Sequence, residues 1–276
     1  MRGSRLRLIA SRSTAETVPK PHSAARGHRM GTVALFTSLL LMLSGGPATA
    51  APAETAPPGA VPDCSSPGAK CIALTFDDGP APRTGELLDI LDAHGVRSTF
   101  FMVGYQIERH PATVSLAHSR GHEVANHSAN HPDLTELSES EIRAEISEVN
   151  RQIRREIGFT PPLMRPPYGE TNATVERIIR EFGMTQVLWN VDSEDWKDHD
   201  SATIAHQVLD DARPGAVVLM HDIHDTTIEA VPTILDGLSE RGYTMVTVSQ
   251  LLSGAHADMS RVDDAPALPY GSGSAP

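Results

Sequence analysis

The sequence predicts an α/β fold, a distorted (β/α) barrel with about seven parallel strands, and three observations point to it. Short apolar runs of strand character alternate with amphipathic helical patterns, as expected when parallel strands are joined through crossover helices. Several helical patterns stop at a glycine, as at Gly95, Gly121, Gly158, Gly183 and Gly242, where a left-handed residue can end a helix. Residues with chemistry to offer follow or end the strand-like runs, and a closed or nearly closed barrel gathers its strand-end loops around one site. A doubly wound open sheet is the alternative.

In chain order, residues 1–50 read as a signal peptide. Basic residues run up to Arg26 and Arg29, an apolar stretch follows from Val33 to Leu43, and Ala48-Thr49-Ala50 supplies small residues for cleavage. The stretch is shorter than the roughly 20 apolar residues of a spanning helix and is broken by Gly45, Gly46 and Pro47, so no stable membrane anchor is expected. Met30 competes with Met1 as the start. The protein is expected to be secreted, with association to the cell wall compatible with that. Residues 51–63, rich in Ala and Pro, read as a linker. Cys64 and Cys71 are the only cysteines; after export they are expected to form one disulfide, with two free thiols or a metal pair as alternatives.

The folded unit is expected at 64–254, long enough for one domain with a large core. Strand-like runs fall at 71–76, 98–103, 122–125, 163–165, 185–191, 216–220 and 243–248, and helical patterns at 84–94, 111–120, 138–157, 172–182, 201–212 and 227–241. The clearest helix starts with a capping box, Ser138 and Glu141, then repeats Ile142, Ile146, Val149, Ile153 and Ile157 up to Gly158. Residues 255–276 have little to bury and read as a disordered tail. Without the leader's seven basic and one acidic residue, 16 basic face 34 acidic residues, a formal charge of -18. That balance repels nucleic acid and anionic membrane and suits a neutral substrate.

A catalytic zinc-like site takes about three ligands from His and Asp/Glu and keeps a position open. His127 and His131 are four apart, so one helical turn or a tight loop can aim both at one point. The pair alone is a weak signal. Asp78, in the Asp-Asp-Gly-Pro turn after the first apolar strand, is the best third ligand, and the adjacent Asp77 can serve as base toward a metal-activated water. Arg165 is placed to keep that base ionised. Amide hydrolysis also needs a proton for the departing nitrogen, and His221, closing the run 216–220, is suited to give it if a carboxylate raises its protonated fraction. Asp195 can be that carboxylate; Asp192, Glu194 and Asp222 are rivals. Tyr168 and Trp196 can pack against sugar faces or be plain core, and the Tyr168 N–H, following two prolines, can serve an oxyanion. His94, His110, His118, His122, His199, His206 and His224 find no matching partners in the sequence.

Taken together, Thr75-Phe76-Asp77-Asp78-Gly79-Pro80, His127-Ser128-x-x-His131, Arg165-x-Pro167-Tyr168, Asp192-x-x-Asp195-Trp196 and Leu219-x-His221-Asp222 resemble the five ordered motifs of the NodB-type polysaccharide deacetylases, the family-four carbohydrate esterases. The resemblance covers roughly 70–250 and departs from the pattern at none of these positions. It implies a NodB homology domain, a divalent ion, usually zinc and sometimes cobalt, and removal of N- or O-acetyl groups from polysaccharide. It also implies Asp77 as base, Asp78, His127 and His131 as ligands, His221 as acid, Arg165 orienting Asp77, Asp195 tuning His221, and Trp196 with Leu219 lining the acetyl pocket.

The expected function is therefore deacetylation of an N-acetylglucosamine polymer, peptidoglycan or chitin and its oligomers, by a monomer. An acetylxylan esterase on the same scaffold is the second reading. A non-catalytic sugar-binding protein is the third, and it predicts a lost ligand or base where none is missing.

Overall fold

The computed structural model describes residues 63–259 apart from Pro67. The expected leader at 1–50, the linker at 51–63 except Asp63, and the tail beyond Met259 lie outside the described residues. Eight parallel strand segments form one sheet: β1 (Cys71–Asp77), β2 (Thr99–Met102), β3 (Glu123–Asn126), β4 (Leu163–Met164), β5 (Thr185–Gln186), β6 (Val191–Asp192), β7 (Ala216–His221) and β8 (Thr244–Val246). Their order is β5-β4-β3-β2-β1-β7-β6, with β8 on the first residues of β1. The helices between and after them are α1 (Thr84–Ala93), α2 (Gly104–Arg109), α3 (Pro111–Ser119), α4 (Glu139–Ile157), α5 (Ala173–Glu181), α6 (Ser201–Asp211), α7 (Asp225–Glu240) and α8 (Val248–Met259). Among the described residues, no helix is long and apolar enough to cross a membrane.

All seven expected strand runs are present, but the run at 185–191 changes partners midway. Val187 N–H still donates to Met164 O of β4 (2.9 Å), whereas Asn190 N–H donates to Val217 O of β7 (3.1 Å). These few residues carry the chain from one edge of the curled sheet to the other. A strap rather than a continuous ladder therefore closes the barrel, which is the source of its distortion.

Alternation along β1 divides the interior. Ile72, Leu74 and Phe76 face the helices, packing in one cluster with Leu87, Leu88 and Leu91 of α1 and Ile228, Val231 and Ile234 of α7. On the other face Ala73 joins Phe101, Ala125, Leu163, Val187, Val246 and Leu251 in an apolar plug within the curl. Thr75 and Asp77 follow on that inner face, so the strand ends deliver polar groups above an apolar floor.

The capping box of α4 forms as expected, and Gly158 closes the helix at φ 90°. Two helices are corrections to the sequence reading. α2 is too short to show a period and opens on a glycine, so it leaves no helical pattern. The run at 243–248 ends as strand at Val246, and Val248 already begins α8, which continues past 254 to Met259. Cys64 and Cys71 form the expected disulfide, and Cys64 packs so closely on Gly254 of α8 that a Cβ there would stand 2.6 Å from the Cys64 Cβ.

Candidate active site

The C-terminal ends of β1, β3, β4 and β7, with the loop after β6, converge on one place. His127 follows β3, and its Nδ1 lies 2.7 Å from the Arg165 carbonyl oxygen. A carbonyl only accepts, so Nδ1 carries the proton and Nε2 presents a bare lone pair. That nitrogen is 3.5 Å from Asp78 Oδ1, and His131 Nε2 is 3.2 Å from the same oxygen. Burial pushes the His127 imidazole down to about 3, against the opposing pull of the Asp78 charge, so the ring stays neutral. One ligand atom from each of Asp78, His127 and His131 lies within 4.8 Å of the others. Asp78 Oδ1 is buried with no hydrogen-bond partner among the described residues. Two imidazole nitrogens converging on a buried carboxylate oxygen that lacks a hydrogen-bond partner suit a divalent cation such as zinc.

The two histidines reach that point from a tight loop, not a helix. Ser128 and His131 take left-handed φ values of 64° and 57°, and the loop is fastened from beneath. Asn126 accepts the Ser128 N–H (2.8 Å) while its own amide donates to Ile146 O of α4 (3.0 Å). Glu145 of α4 accepts from the Asn130 N–H and side-chain amide, both at 2.8 Å. Asp78, Tyr168 and Glu194 are also left-handed, so all five such non-glycine residues among those described lie in the loops of this site. Strain of this kind persists only where the surroundings over-determine it.

Asp77 is 2 % exposed and is gripped from one side. Arg165, wholly buried, donates through Nη1 to Asp77 Oδ1 (2.7 Å) and to Thr75 Oγ1 (2.9 Å), and its Nε reaches Val187 O of the strap (3.3 Å). Its guanidinium lies over the Phe101 ring at 4.1 Å. Burial drives the Asp77 carboxyl above the usual carboxylate range, with Arg165 the largest opposing influence.

His221, the last residue of β7, turns Nδ1 to Asp195 Oδ1 at 2.7 Å. The other Asp195 oxygen accepts the His221 N–H and the Thr227 hydroxyl, each at 2.7 Å. Burial alone would lower His221; the Asp195 hydrogen bond and charge, backed by Asp77 and Asp78, outweigh it and raise the imidazole to about 9. The rivals are otherwise engaged. Asp192 accepts from Glu194 N–H and Trp189 Nε1, Glu194 pairs with Lys197 at 2.9 Å, and Asp222 accepts the Thr84 hydroxyl.

Tyr168 and Trp196 are not core residues: they are 58 % and 40 % exposed. The Tyr168 ring packs edge-on against His131, centroids 4.6 Å apart, and its N–H has no acceptor among the described residues. Leu219 is buried two positions before His221 on the same inward face of β7. Thr75, Thr227, Asn126 and Glu145 were given no role at the site by the sequence reading. Only Thr75 carried a signal, two residues before Asp77; the others act through partners distant in sequence.

A family model described as polysaccharide deacetylase matches residues 65–187. The peptidoglycan-N-acetylglucosamine deacetylase PgdA of Listeria monocytogenes is 40 % identical over 183 residues, 66 % of this chain, and the chain spans only 39 % of that protein's length. A peptidoglycan-N-acetylglucosamine deacetylase of Bacillus cereus is 36 % identical over 193 residues, covering 68 % of this chain and 90 % of that protein. The solved structure of peptidoglycan deacetylase PdaC from Bacillus subtilis superimposes with TM-score 0.66 at 39 % identity, covering 71 % of this chain and 96 % of that one. With kinship this extensive in sequence and in fold, the chain belongs to the polysaccharide deacetylase family.

Proposed function

We propose that this chain is a secreted, metal-dependent hydrolase that removes N-acetyl groups from N-acetylglucosamine-containing polysaccharide, with peptidoglycan first and chitin-type oligomers second. The observation that carries this reading is the pairing of a carboxylate fixed by an arginine with an imidazole fixed by an aspartate, on two flanks of an Asp-His-His acceptor cluster. The names of the relatives favour peptidoglycan. The leader pattern and the Cys64–Cys71 disulfide support export.

Asp78, His127 and His131 would hold the cation, for which zinc is the first choice and cobalt the second. When bound, it supplies Lewis-acid polarisation of the acetyl carbonyl and lowers the pKa of a water. Asp77 takes the proton of the attacking water, and Arg165 holds its carboxylate in line. His221 enters protonated and gives that proton to the departing sugar nitrogen, because an amide anion is too poor a leaving group to depart unaided. Asp195 fixes the tautomer and orientation of that ring. The Tyr168 N–H is free to stabilise charge on the carbonyl oxygen, while Trp196 and Leu219 offer an apolar wall to the acetyl methyl. Every role is filled from one chain, which fits a monomer.

An acetylxylan esterase is the second reading, since an alkoxide leaves with less help. The strong Asp195–His221 pairing favours the amide, for which a proton donor matters most. A non-catalytic sugar-binding protein would have no use for acid, base and ligands together. Acetate release should be measured across chitin oligomers, peptidoglycan and acetylated xylan. The first two are expected to react; release from xylan alone would overturn the proposal.

A further inference from the structure

Asp222 is a wholly buried carboxylate for which the mechanism has no task. It follows His221 at the end of β7 and is 1 % exposed. Its Oδ2 accepts the Thr84 hydroxyl, which itself accepts the Ala81 N–H at 2.7 Å. Its Oδ1 has no partner among the described residues. The carboxylate lies directly on the backbone of Gly79, where a Cβ would stand 2.3 Å from both oxygens. Gly79 is not among the left-handed residues, so its conformation does not demand glycine; the neighbouring carboxylate does. On its other side, the Gly79 carbonyl accepts the Val103 N–H (2.9 Å).

This contact stands at a particular place in the sheet. The β1–β7 ladder ends at the pair Asp77 and His221, and beyond it the backbones part as Asp78 turns left-handed. We propose that Asp222 is a positioning residue that clamps the Asp77–Thr84 turn to the end of β7. It continues the ladder by a side chain past its last pair, and so holds the Asp77–Asp78 carboxylates at a fixed separation from the His221 imidazole. Thr84 completes the clamp by joining the Asp222 carboxylate to the Ala81 N–H.

The test uses the full chain with Asp222→Ala, Asp222→Asn, Gly79→Ala and the double variant D222A/G79A. Two quantities are read: kcat and KM for acetate release, and zinc retained per folded chain after dialysis. Asp222→Ala is expected to lower kcat by about 10- to 100-fold, the scale of a displacement of about 1 Å, with KM changed less than about twofold and zinc retention reduced. Asp222→Asn keeps the shape and the acceptor for Thr84, and is expected to recover most of both losses. Gly79→Ala should resemble Asp222→Ala, and the double variant should be no worse than Gly79→Ala, because removing the carboxylate vacates the space the new methyl needs. Wild-type kcat and zinc retention in folded Asp222→Ala protein would overturn the proposal, as would losses in the double variant that simply multiply. The kinetic arm rests on the hydrolytic reading. If the wild type releases no acetate from any substrate, that reading fails, and zinc retention alone decides for or against the clamp.

Discussion

Two buried ion pairs flank the site, and they are built in opposite senses. On the base flank the cation is the fixed member: Arg165 spends its donors on Thr75, the Val187 carbonyl and Asp77, and rests on Phe101. On the acid flank the anion is fixed: Asp195 fills both oxygens with the His221 N–H, the His221 ring and Thr227. The same device, a buried partner with its other atoms satisfied, presents a carboxylate on one flank and an imidazole on the other, which suits them to the proposed roles of base and acid. Both working groups are shifted upward, for different reasons. Burial raises Asp77 while Arg165 restrains it; Asp195 raises His221 in spite of burial. The proposed mechanism needs Asp77 ionised and His221 protonated. The profile of kcat/KM against pH is therefore a bell, with its alkaline limb near 9 and its acid limb above the usual carboxylate range.

The largest effect should come from breaking the base flank. Asp77→Asn removes the proton acceptor and leaves Arg165 buried without its anion. It is expected to cost about 10²–10⁴-fold in kcat and about 3–5 kcal/mol of stability, read by steady-state kinetics and urea unfolding of the same preparation. On the acid flank, His221→Ala should cost about 10²–10³-fold on an N-acetyl substrate and far less on an O-acetyl ester. Equal losses on both would show that His221 does not protonate the leaving group. Asp195→Asn keeps the shape but removes the charge that raises His221. The alkaline limb should then fall from near 9 toward the ordinary histidine value of about 6.5; an unmoved limb would assign it to another group. Smallest is Thr227→Val, which removes one hydrogen bond to Asp195, worth about 1 kcal/mol. With one donor fewer, the Asp195 charge acts more strongly on the ring, and the same limb should move upward by less than about one pH unit.

The two flanks were not equally open to sequence reading. Asp77, His127 and Arg165 close apolar runs at positions where alternation faces them inward, whereas Asp78 and His131 reach the site through left-handed turns. Strand β1 and helix α4 could be read from periodicity and capping alone. The partner of His221 could not. Asp192, Glu194, Asp195 and Asp222 share the same local credentials, and only the fold shows that the first two serve their own loop while Asp222 lies on Gly79. The strap at 187–190 was hidden for a related reason. A β-rich run shows that a segment pairs, but not that it leaves β4 for β7 partway along. Helix α2 was missed because six residues opening on glycine show no period.

Both flanks face the cluster of Asp78, His127 and His131, and the account stands on a cation held there. The most direct test is acetate release from an N-acetylglucosamine oligomer, measured on purified protein as isolated, after exhaustive chelation, and after zinc is restored. Release should disappear with the metal and return with it. Undiminished release from protein shown to be metal-free would contradict the account.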